Sequence, residues 1–519
     1  MTTLGSFHQI LWGAAGHETE QDCACSAGEE HIWSSAPSGV CAEDDCACAT
    51  EGYIGSSTLL GVRAEDDCAC AGPFLSPAAL FAPESRDWRI TPVLYRASLP
   101  DAHELVFNPT GPTSVVVLNK SARAILDAYH QPHTLTDDIA HQLAALHLLT
   151  PIQNQKSEIQ SQPSMLTAWL HVTNACNLRC AYCYLDKTGE AMTEDVGRAA
   201  VEAVFRSAQV NSFRAIKLKY AGGEPTLNFG LVQAIHAYAL QKAAKAGLEL
   251  REVVLSNGVA LAQAVLDWLR DEQVRLMISL DGVGKMHDAQ RAFINGRGTF
   301  ALVARSLDRA LERGLTPHLS ITITARNADR LPEAVAFAIE RDLPFNLNFY
   351  RENDCAASAA DLAADHTRLI AGIKDAFAVI EANLPRRRLI DALVDRSAFD
   401  APHQHPCGAG RNYLVIDQRG GVARCQMEIE RPVTDVLAED PLAAIRARTQ
   451  DFQNAPVDEK DCRECTWRYW CAGGCPLLTF RATGRNDVKS PYCNVYRALY
   501  PDVLKLEGLR LLKWGGPAG

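Results

Sequence analysis

The chain has 519 residues, 47% hydrophobic and 22% charged, with a formal charge of −11 and a pI near 5.8. A chain of this length buries a large core and divides into two or more domains. The acidic balance argues against nucleic acid or anionic lipid met through a broad basic surface. No apolar run approaches the ~20 residues needed to span a bilayer. The first residues, with Glu18, Glu20 and Asp22, lack a basic segment followed by an apolar one, so a cytoplasmic location is expected.

In that compartment thiols stay reduced, and clustered cysteines bind metal more often than they form disulfides. Of the eighteen cysteines, ten fall within 176–183 and 407–493, seven crowd into 23–70, and Cys355 stands apart.

Residues 1–85 are rich in Gly, Ser, Ala and acidic groups and show no sustained period, so little fixed structure is expected there. They do repeat. Asp-Cys-Ala-Cys occurs at 22–25, 45–48 and 67–70, and AEDDCACA recurs identically at 42–49 and 64–71. Residues 86–150 have the composition of a small folded module. Strand-like 104–107 and 114–118 flank the turn residues Asn108, Pro109, Gly111 and Pro112. Asn119 is placed to cap a helix whose Ala122, Ile125, Leu126 and Tyr129 share a face, and Thr136 to cap one carrying Ile139, Leu143 and Leu146. This pattern resembles the winged-helix-like peptide-recognition element of ribosomal-peptide modification systems, similar to the small chaperone of pyrroloquinoline quinone synthesis. Polar, aperiodic residues 151–165 read as a linker.

From 166 to 385 the chain alternates. Strands are expected at 166–172, 215–220, 250–255, 274–280, 317–324 and 344–349, with helices near 193–209, 229–246, 260–271, 299–313, 330–341 and 361–383. Six such units imply an α/β fold, a partial (β/α)6 TIM-like barrel with its chemistry at the carboxyl ends of the strands.

The loop after the first strand reads TNACNLRCAYCY, giving Cys176, Cys180 and Cys183. Three thiolates on one loop can hold three irons of a [4Fe–4S] cube and leave the fourth open. A structural zinc would want a nearby fourth ligand, and His171 falls within the strand. With Tyr182 before the last cysteine, the motif resembles that of the radical S-adenosylmethionine (SAM) superfamily. The resemblance implies that the open iron chelates SAM, that an electron from the cluster cleaves the sulfonium bond, and that a 5′-deoxyadenosyl radical abstracts a substrate hydrogen, the cofactor carrying the difficult chemistry. Gly222, Gly223, Glu224 and Pro225 after the second strand are similar to the family's GGEP segment, which implies contact with the SAM amino group, Glu224 being the candidate acceptor. Ser256 and Asn257 end the third strand and, by the same resemblance, join Tyr182, Gly222, Gly223 and Glu224 as candidate SAM-binding residues. Ser279 and Asp281 end the fourth, followed by His287, Asp288 and Arg291; Ser279 and Arg291 are candidates for holding SAM polar groups.

The C-terminal cysteines resemble the SPASM extension of radical SAM peptide maturases, placed at 386–500 with a tail at 501–519. The resemblance implies one auxiliary [4Fe–4S] cluster on Cys462, Cys465, Cys471 and Cys493 and another on Cys407, Cys425 and Cys475, hence three clusters in all. Two zinc ribbons are the alternative, awkward for seven thiolates. Residues 408–424 hold no further cysteine, so one iron is left open or takes a remote ligand. The same resemblance implies a precursor peptide or protein as substrate, the 86–150 module docking its leader, and a low-potential electron donor such as flavodoxin or ferredoxin. Anaerobic sulfatase maturases share the cysteine pattern but have Asp where this chain has Gln426, which favours a thioether or other cross-link over formylglycine formation. The Asp-Cys-Ala-Cys units look like substrate, with Cys23, Cys25, Cys46, Cys48, Cys68 and Cys70 as target thiols. A metal-loading tail, an inert extension, and a non-catalytic peptide-binding or cluster-carrying scaffold are the competing readings. Cys355 is read as a free thiol.

Overall fold

The structure, a computed structural model, describes residues 9–11, 87–111, 115–152, 163–356, 359 and 361–515. The Asp-Cys-Ala-Cys units, most of the expected linker and nearly all of residues 1–85 therefore lie outside the described residues. From that first segment only the strand Gln9–Leu11 is described, and it pairs in parallel with Val116–Leu118.

Six parallel strands carry the centre of the molecule: β1 (Met165–Thr173), β2 (Ala215–Gly222), β3 (Glu249–Ser256), β4 (Arg275–Ser279), β5 (His318–Ile323) and β6 (Phe345–Phe349). Six helices return the chain between or after them: α1 (Glu194–Val210), α2 (Phe229–Ala246), α3 (Gln263–Asp271), α4 (Phe300–Glu312), α5 (Leu331–Glu340) and α6 (His366–Ala382). Each strand alternates. Leu166, Ala168, Leu170 and Val172 of β1 are fully buried in one core with Ala200, Val201, Val204 and Ala208 of α1. The intervening Thr167, Trp169, His171 and Thr173 point to the opposite, inward face, as the two-residue period requires. Thr193 caps α1 by accepting from the Val196 N–H, and Asp365 caps α6 by accepting from Thr367 and Arg368.

The sheet does not close on itself. It runs β6-β5-β4-β3-β2-β1 and continues through β7 (Tyr413–Ile416), β8 (Gly421–Ala423) and β9 (Thr434–Asp435). β7 pairs in parallel with β1, Val415 opposite Trp169, so the first barrel strand has no free edge and the cysteine-rich region shares its sheet.

The N-terminal module packs both faces of a small sheet. Leu105 and Phe107 join the main core, whereas Val106, Val116 and Leu118 face the helices Lys120–Ala128 and Asp138–Ala145. Asn119 caps the first by accepting from Ala122. The second is capped by Asp137, not Thr136: its carboxylate accepts from the Ala140 N–H, and a carboxylate one residue nearer the helix suits the positive helix start better than the hydroxyl. The module is seated against the C-terminal region: the Trp470 indole N–H donates to the Pro109 carbonyl at 2.8 Å, and Phe107 lies 4.7 Å from the Trp470 ring. The expected tail at 501–519 is a correction. Cys493–Trp514 is one helix, and Val503, Leu504, Leu506 and Leu511 bury it in the main core.

Candidate active site

The cysteine loop leaves β1 and is fastened at both ends. Asn174 donates to the Asp186 carbonyl at 2.6 Å and to the Thr188 hydroxyl at 3.1 Å, while its carbonyl oxygen lies 3.2 Å from His171 Nε2. Leu178–Cys180 pairs antiparallel with Arg291–Phe293, placing Arg291 opposite Cys180. Cys176, Cys180 and Cys183 are electrostatic neighbours of one another, and burial pushes the Cys180 thiol up to about 11. Such thiols ionise at neutral pH only when a metal takes up the charge.

The loops after β2, β3 and β4 close around this one. A Cβ on Gly223 would stand 2.3 Å from the Ala175 carbonyl oxygen, and one on Gly222 would stand 2.2 Å from that of Thr173. The glycines thus let the second loop touch the cysteine loop itself. Glu224 is 1% exposed and accepts from Thr226 Oγ1 (2.7 Å), Thr226 N (3.2 Å), Ser256 Oγ (2.9 Å) and Asn257 N (2.7 Å). Burial pushes its pKa up against those four donors. Three of these bonds fall on Oε1 and one on Oε2, so Glu224 braces two loops while Oε2 keeps room for a further donor. Asn257 in turn donates to the Asn177 side chain at 2.8 Å, tying β3 to the cysteine loop. Ser279 stays half-buried on the inward face of β4.

Arg291 is also committed. It donates to the Tyr182 hydroxyl, which donates to Asp281 Oδ2 at 2.6 Å; Asp281 Oδ1 accepts from the Thr322 N–H at 2.8 Å. The Asp281 side chain is fully buried, and Arg291 Nη1 lies 3.7 Å from it. Burial pushes Asp281 up, and Arg291 and Tyr182 hold it back. One edge of the guanidinium is left over: Arg291 Nε is buried and has no hydrogen-bond partner. Three grouped thiols, a glycine cradle that a Cβ would fill and an orphaned guanidinium N–H beside Cys180 fit a [4Fe–4S] cluster carrying a small polar ligand.

The seven C-terminal cysteines separate into two neighbourhoods. Cys407, Cys425 and Cys475 act on one another, as Cys471 does with Cys462, Cys465 and Cys493. Burial pushes both Cys425 and Cys471 up to about 12. At Cys475 burial also acts upward, but Arg351 and Arg396 outweigh it and the thiol is lowered. Among the described residues no three His, Cys, Asp or Glu side chains converge on a single metal-ion position.

Several contributors were invisible to sequence reasoning. Tyr184 is half-buried beside Cys183 and Cys425. Lys460, 3% exposed, donates to the Ala472 carbonyl and lies within the field of Cys462, Cys471, Cys407 and Cys475. Arg351 and Arg396 stand beside Cys475. No motif marks them; their roles arise from long-range packing. Asp281 was visible at the carboxyl end of the fourth expected strand, and that position was the available signal. Cys355 is exposed, with its Sγ 3.3 Å from the Tyr184 carbonyl.

Residues 170–338 match the model of the Radical SAM superfamily, a family whose chemistry uses SAM on a [4Fe–4S] cluster. The chain's relatives include peptide and sulfatase maturases. The mycofactocin maturase MftC of Mycolicibacterium smegmatis is 24% identical over 357 residues, 67% of this chain and 83% of that protein. A PqqA peptide cyclase of Xanthomonas axonopodis pv. citri is 26% identical over 348 residues, 64% and 88% of the two chains. A serine-type anaerobic sulfatase-maturating enzyme of Klebsiella aerogenes is 24% identical over 349 residues, 64% and 83%. Among solved structures, native anSMEcpe with bound AdoMet superposes with a TM-score of 0.55 at 16% identity, covering 66% of this chain and 99% of that one. That likeness is one of fold. No helix among the described residues is long and apolar enough to cross a membrane.

Proposed function

We propose that the protein is a SPASM-type radical SAM peptide maturase with three [4Fe–4S] clusters: one on Cys176, Cys180 and Cys183, one on Cys407, Cys425 and Cys475, and one on Cys462, Cys465, Cys471 and Cys493. The observation that carries this reading is the sorting of ten cysteines into groups of three, three and four, with Tyr184 beside both Cys183 and Cys425. When bound, SAM on the reduced first cluster supplies a hydrogen-abstracting radical. The chain's own residues position it: Arg291 Nε offers a donor beside Cys180, Ser279 lines the mouth, and Glu224 and Asn257 hold the loops in register. The auxiliary cluster on three cysteines keeps one iron for a soft ligand such as a substrate thiolate.

Cross-linking of a cysteine is favoured over formylglycine formation. Gln426 follows Cys425, and its Oε1 accepts from the Tyr413 hydroxyl at 3.1 Å; a carboxamide cannot serve as the base an aspartate would be. The repeated cysteines before residue 71 are the proposed substrate, the 86–150 module the proposed docking element, and a flavodoxin or ferredoxin the proposed donor. The test is mass spectrometry of the full chain after anaerobic incubation with SAM and reductant. Loss of about two hydrogens per bond within residues 20–71 is expected, since the radical removes hydrogen. An unchanged segment alongside turnover of a separate peptide would overturn the self-modification reading. Absence of all SAM cleavage would favour the scaffold.

A further inference from the structure

Lys460 is a buried cation without a carboxylate. It follows the short helix Val457–Glu459, which is held to the preceding chain by the Val457 N–H donating to the Gln404 carbonyl at 2.9 Å, and it is 3% exposed. Among the described residues no Asp or Glu pairs with its ammonium, whose hydrogen bond goes to the Ala472 carbonyl at 3.3 Å. The ionisable groups that act on it most strongly are the thiols of Cys462 and Cys471 from one C-terminal group and of Cys407 and Cys475 from the other. An ammonium taken out of water needs a counter-charge, and here only thiolates of both groups are placed to supply it.

The backbone joining the two groups is shaped around this side chain. Cys471 belongs to one group and Cys475 to the other, with Ala472, Gly473 and Gly474 between them. All three are left-handed, at φ of 43°, 81° and 69°. Glycine adopts that conformation freely and alanine at a cost, so Ala472 is held there by what surrounds it. The Gly474 N–H closes the turn on the Cys471 carbonyl at 2.7 Å, while the Ala472 carbonyl receives Lys460 Nζ. The turn lies directly on the lysine: a Cβ on Gly473 would stand 2.6 Å from Nζ and 2.8 Å from Cδ. On its other side a Cβ on Gly474 would stand 2.9 Å from the Tyr496 hydroxyl.

We propose that Lys460 is a positioning residue shared by the two C-terminal clusters: its charge raises the reduction potential of both, and its hydrogen bond holds the turn from Cys471 to Cys475 that joins them. The inference rests on the reading of the seven cysteines as ligands of two auxiliary clusters and adds what governs their electron affinity. A cube on thiolates is anionic and gains negative charge with each electron, so a cation in the low-dielectric interior favours the reduced form. The other cations do not span both groups. Arg351 and Arg396 act on Cys407 and Cys475, and Lys489 and Arg497 beside Cys493 are exposed to water.

The test is a redox titration, followed by electron paramagnetic resonance, of the reconstituted full chain carrying Cys176→Ala, Cys180→Ala and Cys183→Ala, so that auxiliary iron alone is read. Dithionite supplies one electron per cluster. Lys460→Gln keeps a donor for Ala472 and removes the charge. Both midpoints should fall, each reduction equilibrium shifting about tenfold, or about 59 mV for one electron, whereas Lys460→Arg should stay near the native values. Unchanged midpoints in a Lys460→Gln chain with full iron, or a shift confined to one cluster, overturn the inference and leave the clusters standing. Should that chain lose its auxiliary iron, Lys460→Met takes its place. Iron lost from both neutral variants but held by Lys460→Arg supports the shared charge, and iron lost from all three overturns it as a packing role. Zinc, or a single cluster, on the chain with Lys460 and its seven C-terminal cysteines intact overturns the cluster reading and the inference with it.

Discussion

Asp281 and His287 show how single side chains hold the mouth together. Asp281 is the buried partner of Tyr182 and Arg291, so Asp281→Asn leaves a guanidinium buried without its counter-charge. Breaking such a pair costs about 3 kcal/mol, and chemical unfolding should show that loss; unchanged stability would mean that the trio is solvated. His287 accepts the Asp281 N–H at Nδ1 and lies 3.2 Å from Thr299 Oγ1 at Nε2, so it is held neutral. Burial, aided by Arg291, lowers its pKa from 6.5 to about 3. The unfolded chain takes up this proton near pH 6.5 and the folded one only near 3. Stability from this group is thus full above pH 6.5 and falls by about 1.4 kcal/mol per unit as the pH drops toward 3. His287→Gln should flatten that slope by one proton, measured by denaturation at pH 4 to 7. At this scale the sequence offered the candidate ligands and the loop glycines, because cluster chemistry dictates type and spacing. It concealed what they touch: Glu224 braces the second and third loops, Arg291 is half-committed, and Tyr184 and Lys460 acquired meaning only through folding.

The elements were the most legible layer. Each of the six strands and six helices lies within a few residues of its expected span, because alternation in β1 and the apolar stripe of α1 are forced by burial on one face. Two expectations failed for physical reasons. Thr136 yielded its cap to the adjacent carboxylate of Asp137, and the supposed tail continues a helix whose apolar residues find the core. The contact between the second loop and the cysteine loop leads to a prediction. Gly223→Ala places a methyl group on the Ala175 carbonyl, and neither backbone can retreat without shifting the cysteine loop. The variant should fold with its auxiliary iron but lose the first cluster, seen as a drop of about four irons per chain; full iron content would contradict the tight contact.

At the scale of the whole molecule, the three regions are one body. β7 extends the barrel sheet, and the last helix packs against the N-terminal module, where a Cβ on Gly508 would meet Leu105 Cδ1 at 2.8 Å. None of this was legible in the sequence, since separate motifs do not reveal a shared sheet. Trp470 is the pivot, fully buried against Phe107 and Phe399 and bonded to Pro109. Trp470→Ala should cost about 3 to 5 kcal/mol and loosen the module, read as increased proteolysis between 87 and 152; a local effect confined to the C-terminal region would argue that the module is independent. The central claim is that Cys176, Cys180 and Cys183 hold a cluster that cleaves SAM at the barrel mouth. The most direct measurement is 5′-deoxyadenosine formed by the reconstituted full chain under a low-potential reductant, with and without Cys176→Ala, Cys180→Ala and Cys183→Ala. The account predicts product from the native chain and none from the variant, which should retain the iron of its C-terminal cysteines. Product from the variant, or none from a native chain carrying all its iron and its substrate, would contradict it.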